Sequence, residues 1–539
     1  MLRIASEHGL PQRTRPKPIR GHHLCASPTT ATQVKQDSVV DRPLLSEPAS
    51  SGARERSAQF AAVAAILLLG LVARYLLVHS GVGDLNSDEA TTGLMARGIM
   101  RGEFPVMVAG NSYGGTLEAY AAAALFFVTG LDGFALKAIP TLSWLGACVA
   151  LFFVARTMLS RVISLAVSCL LWVYSSSTTL LSIQAYSGYG SGLVATILSL
   201  GLLVGEVMRP EGAQWNRGRV ARLLLLGLLS SIAIWQHPMY LAPLLPAHAY
   251  VVATRFRSAL RYLAPVGLGA AIGALPTLAY NLRHDWATLH LKEQNPVPVS
   301  SYGSRFVNFF FELFPRLSGL KAIDGTWIGN GLGETIFLLL FACFVWSIVR
   351  LIRGTPGDRL LAAAAIGGPF LIAVPPTSYY YDDARYGIWY APILLLVVAR
   401  AVVLRLPQLQ PTAAQMFLLA YAWFALFCWP AQHHLTGPIR LADPDDGVER
   451  LADAMKAANV RYARADYWIA YRLTFLSEER IIATPFAPVR FSRYERAVDA
   501  TRRPALLAFP GDGRDQALQA TRRDLQRQEV GGFALYVPQ

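Results

Sequence analysis

The chain has 539 residues, of which 53% are hydrophobic and 16% charged, and its mean hydropathy is +0.35. This composition is too apolar for a soluble domain, and the apolar residues fall in repeated blocks, so it predicts a multi-spanning membrane protein. A net charge of +14 would suggest nucleic-acid binding in a soluble chain. Here the arginines lie between hydrophobic blocks, where they set topology, and we expect no nucleic-acid partner.

The N-terminal region changes character at residue 58. Residues 1–57 are rich in Pro, Ser, Arg and Thr and have no periodic apolar face, which predicts a disordered cytoplasmic tail. The following run, Ala58 to Val78, is about 21 residues long, enough to cross a bilayer once. No convincing small-residue cleavage site follows it, so we expect a retained first span.

Arginine-rich loops order the remaining spans, because short cytoplasmic loops carry the excess of Lys and Arg. This rule predicts a transmembrane domain over 58–430 with about eleven crossings, and 11–13 in the wider estimate. The N-terminus is then cytoplasmic in the plasma (inner) membrane. The outer loops are 80–131 and 281–332. The apolar run Ala119 to Leu131 is too short to span comfortably and favours an interfacial or re-entrant segment, although a crossing there paired with a hidden crossing nearby would keep the same parity.

A soluble pattern occupies residues 437–539. Helical and strand patterns alternate there, ending with a predicted helix over Asp515–Val530 and a predicted strand over Phe533–Pro538. Four such units predict a small, mostly parallel α/β domain on the extracytoplasmic side.

The acidic pair Asp88 and Glu89 follows the first span directly. Adjacent carboxylates at the start of a helix can simply cap it and interact with its dipole. A carboxylate beside low-dielectric lipid can also act as a general base towards an attacking hydroxyl. Both interpretations remain open from the sequence.

A second acid, Glu118, lies at the edge of the next apolar run, close to Tyr113. Ionisable groups at membrane depth are costly and are functional candidates by default. Oxygen ligands suit Mg²⁺ or Mn²⁺, so a divalent cation between Glu118 and Asp88 or Glu89 is one hypothesis.

Further candidates lie in later outer segments. Arg385 and Tyr386 precede a late span. Arg385 is either a snorkelling or salt-bridged side chain, paired with Asp382 or Asp383, or a phosphate clamp assisted by tyrosine hydroxyls. The remaining outer-face candidates are His237, Arg283 and His284. For His237, a lone histidine beside a proline, a structural role is the alternative.

These stretches resemble the GT-C glycosyltransferases, with the closest similarity to bacterial relatives of the protein O-mannosyltransferases and the lipid A aminoarabinose transferase. The resemblance covers 58–430 in architecture and the motifs NSDEATTGLMARGI, GGTLEAY and ARYGIWYAP. It implies a polyprenyl-phosphate-linked sugar as donor, Asp88 as the catalytic carboxylate, Glu118 as the acid of the membrane lip and Arg385 near the lipid phosphate. In this chain Ala119 follows Glu118, whereas a Lys or Pro often follows this acid in the family.

The sequence thus predicts an α-helical polytopic membrane enzyme, an inverting hexosyl- or pentosyltransferase acting at the extracytoplasmic face. Its acceptor would be the hydroxyl of a glycan, a lipid or a protein. Asp88, with Glu89 beside it, would act on the acceptor, while Arg385 and Tyr386 would hold the donor phosphate. The rival hypotheses are a transporter or lipid flippase, which usually places ionisable residues mid-span, and a membrane scaffold whose α/β tail binds a partner.

Overall fold

The structure is a computed structural model, and it describes most of the chain beyond the N-terminal tail. The described residues are 53–538 apart from 131, 211, 290–299, 323–324, 330, 376–382 and 429–445. The tail predicted for 1–57 therefore lies almost wholly outside the described residues, as do Asp382 and the junction predicted between 430 and 437.

Helices make up the membrane part of the chain. They are α1 (Ala53–Val78), α2 (Ser87–Met100), α3 (Leu117–Thr129), α4 (Asp132–Ala155), α5 (Arg161–Trp172), α6 (Ser176–Leu181), α7 (Tyr189–Val207), α8 (Arg217–Gln236), α9 (Leu241–Thr254), α10 (Ala259–Gly273), α11 (Leu275–Arg283), α12 (Tyr302–Asn308), α13 (Phe314–Leu317), α14 (Leu332–Ile352), α15 (Pro356–Ile372), α16 (Tyr390–Arg405) and α17 (Ala413–Trp423). Among the described residues, the helices that are long and apolar enough to cross a membrane are α1, α4, α7, α8 and α14. The protein is therefore a multi-pass membrane protein.

Other predicted crossings fall on shorter or bent helices. Helices α10 and α11 together would make a sixth span, but they are bent by 55°. The bend coincides with Pro276 in the first turn of α11, where the ring removes a backbone donor. Helix α5 has only 12 residues and α17 only 11. A span count above six stays a prediction.

Glycines bring α8 and α10 into close contact. A Cβ at Gly227 would lie 1.9 Å from the carbonyl oxygen of Val266, and one at Gly269 would lie 2.0 Å from that of Leu224. Only glycine lets two helix backbones approach this closely in a membrane. Helix α8 ends at Gln236, and His237 follows it directly.

The C-terminal part forms a five-stranded sheet with helices. Its elements are α18 (Asp446–Ala457), β1 (Tyr462–Ala465), α19 (Tyr467–Leu476), β2 (Ile482–Pro485), α20 (Ser492–Asp499), β3 (Ala505–Ala508), α21 (Gly513–Thr521), β4 (Leu525–Val530) and β5 (Phe533–Pro538). The strand order is β2-β1-β3-β5-β4, with β1 parallel to both β2 and β3. The prediction of a small α/β domain is confirmed.

The predicted last helix is wrong in its second half. Helix α21 ends at Thr521, and Leu525–Val530 is instead a strand antiparallel to β5, which in turn is antiparallel to β3. Gly531 and Gly532 have φ values of 61° and 84°, which suit the tight turn of a two-residue hairpin. The polar sequence LQRQEV is typical of a helix, but the hairpin turn places it beside β5 as a strand. Two of the four strand pairs in the sheet are therefore antiparallel.

Helix α19 packs on α2, which joins the α/β domain to the first outer loop. A Cβ at Gly93 would lie 2.5 Å from Cε2 of Phe475, so the ring rests directly on the α2 backbone. The Arg97 side chain donates to the carbonyl of Phe475 at 2.8 Å, and the Ser87 hydroxyl donates to the carbonyl of Tyr467 at 2.5 Å. One apolar core thus includes side chains of the outer helices and of the domain.

Candidate functional site

The acidic pair lies at the N-terminus of α2, in a capping box. The Asn86 side chain accepts the backbone N–H groups of Asp88 and Glu89 at 3.0 and 3.1 Å. In return, the Glu89 carboxylate accepts the Asn86 N–H at 3.3 Å. The capping interpretation therefore holds for the Glu89 side chain, while the Asp88 side chain makes different contacts.

Glu89 is fully buried and its carboxylate is surrounded by donors. The Lys137 ammonium of α4 donates to it at 2.8 and 3.1 Å, and the Ala185 N–H donates at 3.1 Å. Burial raises the pKa of the Glu89 carboxyl, against the opposing effect of Lys137 and of the backbone donors. These contacts tie α2 to α4 and to the turn before α7, which is a positioning arrangement.

Asp88 is partly open, with 25% of its side chain exposed. Tyr467 donates its hydroxyl to Oδ1 at 2.5 Å, and Nη2 of Arg490 lies 3.8 Å from the same oxygen. Nη1 of Arg385 lies 3.7 Å from Oδ2. A carboxylate thus faces two guanidinium groups from opposite sides without closing on either.

Arg385 lies in a short 3₁₀ turn, Ala384–Gly387, before α16. Its Nε lies 2.7 Å from Oδ2 of Asp383, and its backbone N–H donates to the same carboxylate at 3.0 Å. The guanidinium carbon is 5.1 Å from the ring centroid of Tyr186 and 5.2 Å from that of Tyr386. The salt-bridge interpretation is therefore correct for Asp383, and the guanidinium is held between two aromatic rings beside Asp88.

Aromatic rings surround His237, which follows the end of α8. The His237 ring lies 5.0 Å from that of Tyr189, 5.7 Å from that of Tyr113 and 6.1 Å from that of Tyr386, measured between centroids. Burial and the nearby Arg385 charge lower the pKa of His237 to about 3. Nδ1 accepts the Met239 N–H at 3.2 Å, so the neutral ring carries its proton on Nε2.

Glu118 joins α3 to the start of α7. Its carboxylate accepts the Gly188 N–H at 2.8 Å, the Ser191 N–H at 3.0 Å and the Ser191 hydroxyl at 2.8 Å. Gly188 has a φ of 88°, which favours glycine at the residue that turns the chain into α7. Glu118 therefore positions the segment that carries Tyr186 and Tyr189.

The side chains described do not fit the divalent cation hypothesis. Both oxygens of Glu118 already accept donors, and Glu89 is paired with Lys137. Among the described residues, no group of three His, Cys, Asp or Glu side chains could hold a metal ion.

Two further candidates lie apart from these contacts. Arg283 and His284 are exposed at the end of α11. The His284 ring stacks on Tyr280 with centroids 4.1 Å apart, and its Nδ1 lies 2.8 Å from the Tyr280 carbonyl. The structure thus brings together Asp88, Arg385 and Tyr386 with the rings of His237 and Tyr113, whereas the His284 ring stacks on Tyr280 of the adjoining helix.

Sequence reasoning missed Tyr467 and Arg490, which belong to the α/β domain. Tyr467 is the first residue of α19, which the Asp466 side chain caps through the Trp468 N–H at 2.9 Å. Arg490 lies in the loop before α20 and donates from Nε to the Tyr467 hydroxyl at 3.3 Å. Neither residue lies in a motif, and nearly 380 positions separate Tyr467 from Asp88 in the chain.

Solved structures with similar folds were found, although no protein-family model and no curated protein sequence matches the chain. The apo crystal structure of ArnT from Cupriavidus metallidurans aligns over 88% of this chain and 97% of its own, with 12% identity and a TM-score of 0.61. ArnT from the same organism bound to undecaprenyl phosphate aligns over the same shares, with 12% identity and a TM-score of 0.56.

The similarity to ArnT extends into both parts of the molecule, since the aligned 88% of the chain is more than the residues that precede the α/β domain. Identity of 12% is too low to transfer residues or substrates. The overall fold is nevertheless similar, so the fold that the resemblance implies is confirmed. The chain has the GT-C fold, a polytopic helical membrane domain followed by a small α/β domain.

Proposed function

We propose that the protein is a membrane glycosyltransferase that moves a sugar from a polyprenyl-phosphate donor to an acceptor hydroxyl at the extracytoplasmic face. The observation that carries this proposal is the open pair of Asp88 and Arg385, whose nearest charged atoms are 3.7 Å apart on a GT-C fold. A base and a phosphate-binding cation side by side are what transfer from a phosphate leaving group needs. The undecaprenyl phosphate bound by ArnT supports the choice of donor.

Asp88 acts on the acceptor in this proposal. Its Oδ2 accepts the proton of the acceptor hydroxyl as the hydroxyl oxygen attacks C1 of the sugar. The bond between C1 and the phosphate oxygen breaks, and the electron pair leaves with the polyprenyl phosphate. A single displacement of this kind inverts the configuration at C1.

Arg385 and His237 act on the leaving group. The Arg385 guanidinium offers two parallel donors to phosphate oxygens and balances the charge that develops on them. Neutral His237 has its Nε2–H available, since Nδ1 is occupied by the Met239 N–H. The rings of Tyr186 and Tyr386 exclude water around the guanidinium, which strengthens its interaction with an anion.

Glu89 and Glu118 have supporting parts in this proposal. Glu89 and Lys137 form a buried ion pair below Asp88, so Glu89 fixes the start of α2 and takes no proton from the acceptor. Glu118 holds the turn that presents Tyr186 and Tyr189. The acidic pair thus divides into one reacting and one positioning carboxylate.

Transfer assays test this function directly. Purified protein in liposomes is incubated with radiolabelled undecaprenyl-phosphate sugars and with total membrane lipid and protein as acceptors. We expect transfer by the wild type and none by Asp88→Asn, with Asp524→Asn, which changes an exposed carboxylate in the α/β domain, as the matched control. Turnover of no donor by folded wild-type protein would reject the proposal and favour a transporter or a scaffold.

A further inference from the structure

The α/β domain reaches the reacting carboxylate with two side chains. Tyr467 donates to Oδ1 of Asp88 at 2.5 Å, and Arg490 places Nη2 3.8 Å from that oxygen. Arg490 also donates from Nε to the Tyr467 hydroxyl at 3.3 Å. Oδ1 is therefore occupied from the domain side, while Oδ2 faces Arg385 of the membrane domain.

The direction of the Tyr467 hydrogen bond follows from its chemistry. Burial and the neighbouring Asp88 charge raise the pKa of the Tyr467 phenol, so the hydroxyl keeps its proton at neutral pH. An ionised carboxylate can only accept, and the Arg490 guanidinium can only donate. The hydroxyl thus accepts a hydrogen bond from Arg490 and donates one to Asp88, so both hydrogen bonds point from Arg490 through Tyr467 to Asp88.

Arg490 is itself held rigidly between the domain and the first outer loop. Its backbone N–H donates to the Tyr471 hydroxyl at 2.6 Å, and its Nη1 donates to the Asn111 side chain. A Cβ at Gly110 would lie 2.6 Å from the Cα of Arg490, so the loop backbone packs directly against it. Only 13% of the Arg490 side chain is exposed.

We propose that Tyr467 and Arg490 of the α/β domain are positioning residues of the transfer reaction, which orient Asp88 so that Oδ2 faces the acceptor hydroxyl. This inference rests on the proposed function. The domain is then a structural part of the active site, and the reacting carboxylate lies at the junction of the two parts of the molecule. A shift of about 1 Å in a reacting group can reduce the rate by roughly 100-fold, so orientation of this kind is worth measuring.

The experiment compares Tyr467→Phe and Arg490→Lys with the matched controls Tyr494→Phe and Arg493→Lys. The control pair hydrogen-bonds internally at 3.1 Å and reaches Glu103 of the same outer loop, but has no recorded contact with Asp88. Transfer kinetics are measured in liposomes, and binding of undecaprenyl phosphate is measured separately, so that an effect on kcat is distinguished from an effect on donor affinity. Phe at 467 keeps the ring that packs against Tyr471 and Trp468, and size-exclusion chromatography checks the fold.

We expect Tyr467→Phe to lower kcat by about 10- to 100-fold with undecaprenyl phosphate affinity within about twofold of wild type. The controls should match wild type. A folded Tyr467→Phe variant with wild-type kcat would overturn the inference and leave the proposed function standing.

Two other outcomes would also reject the positioning role of Tyr467 and Arg490. If Tyr467→Phe lost undecaprenyl phosphate binding without a change in kcat, the domain would serve donor binding and the positioning role would be rejected. If wild-type protein transferred no sugar, the proposed function and the inference would both be rejected. Arg490→Lys keeps the charge but loses the planar fork, so it should fall between wild type and Tyr467→Phe.

Discussion

Two carboxylate–arginine groups near opposite ends of α7 differ in how tightly they close. At the far end, Glu206 and Arg219 are in direct contact at 2.5 Å, with side chains only 5% and 4% exposed. Near the start of α7, Asp88 stays 3.7 Å from Arg385 and 3.8 Å from Arg490, and 25% of it is exposed. Each charge of the first group is satisfied by its partner. The second group leaves donors and an acceptor available to a ligand.

This difference distinguishes the arginines that stabilise the fold from those that are candidates for binding a ligand. Arg219 also lies 3.9 Å from the Trp215 ring, and Arg255 donates to the carbonyls of Glu206 and Val207 at the end of α7. These contacts neutralise a helix C-terminus and lock neighbouring helices. Arg385 contacts Asp383 at 2.7 Å but stops 3.7 Å from Asp88, and this incomplete pairing makes it the better candidate for a binding site.

The largest expected effect is on Asp88. Asp88→Asn should lower sugar transfer by about 100- to 10,000-fold, because the amide cannot accept a proton from the acceptor hydroxyl. Its melting temperature in detergent should stay near the wild-type value, since the side chain is partly exposed and Asn can still accept from Tyr467. A large loss of stability would mean that Asp88 stabilises the fold through an ion pair, as Glu206 does.

The converse change is Glu206→Gln. Breaking a buried ion pair leaves Arg219 charged and unpaired, which should cost about 3–5 kcal/mol of unfolding free energy. Denaturant titration in detergent measures this loss, and transfer per folded molecule should be unchanged. Reduced turnover in fully folded Glu206→Gln protein would contradict the assignment of a purely structural role to Glu206 and Arg219.

Arg385→Lys should have a smaller effect, confined to the donor. Lysine keeps the positive charge but loses the bidentate fork, so we expect undecaprenyl phosphate to bind about tenfold more weakly, as measured by tryptophan fluorescence titration. Arg359→Lys, at an exposed position in α15, is the matched control. Equal affinity in Arg385→Lys and wild type would remove Arg385 from the phosphate site.

A further expected effect is a pH dependence of stability that arises from His237. Its pKa is lowered to about 3 in the folded protein, against about 6.5 when unfolded. The unfolded chain therefore binds the extra proton first as the pH falls. The stability contributed by neutral His237 is complete above pH 6.5 and is lost by about 1.4 kcal/mol per pH unit below it.

Melting temperatures between pH 7.5 and 4.5 measure this dependence. His237→Asn, whose amide oxygen can still accept the Met239 N–H, should lose less stability on acidification than wild type. Parallel pH–stability curves for the two proteins would show that His237 is hydrated in the folded protein. The candidate site would then be open to water at His237 as well as at Asp88.

The sequence alone located most of the groups that meet at the candidate site. The apolar blocks predicted a multi-pass membrane protein, and the position of Asp88 after the first span and of Arg385 before a late span marked two residues whose charged atoms lie 3.7 Å apart. Such predictions succeed because membrane helices impose strong hydropathy patterns and ionisable groups near lipid are costly. In the soluble tail, the strand Phe533–Pro538 was predicted at its observed bounds because its apolar pattern is continuous.

The tertiary structure decided what each charged group does. Asp88 and Glu89 are adjacent and chemically alike, and only the fold directs one towards solvent and the other to Lys137. Tyr467 and Arg490 carry no local signal, because their importance comes from docking α19 on α2. Strand β4 is polar and depends on its hairpin partner. In each case the deciding contact joins residues distant in the chain or depends on a turn, and local propensity and hydropathy do not encode it.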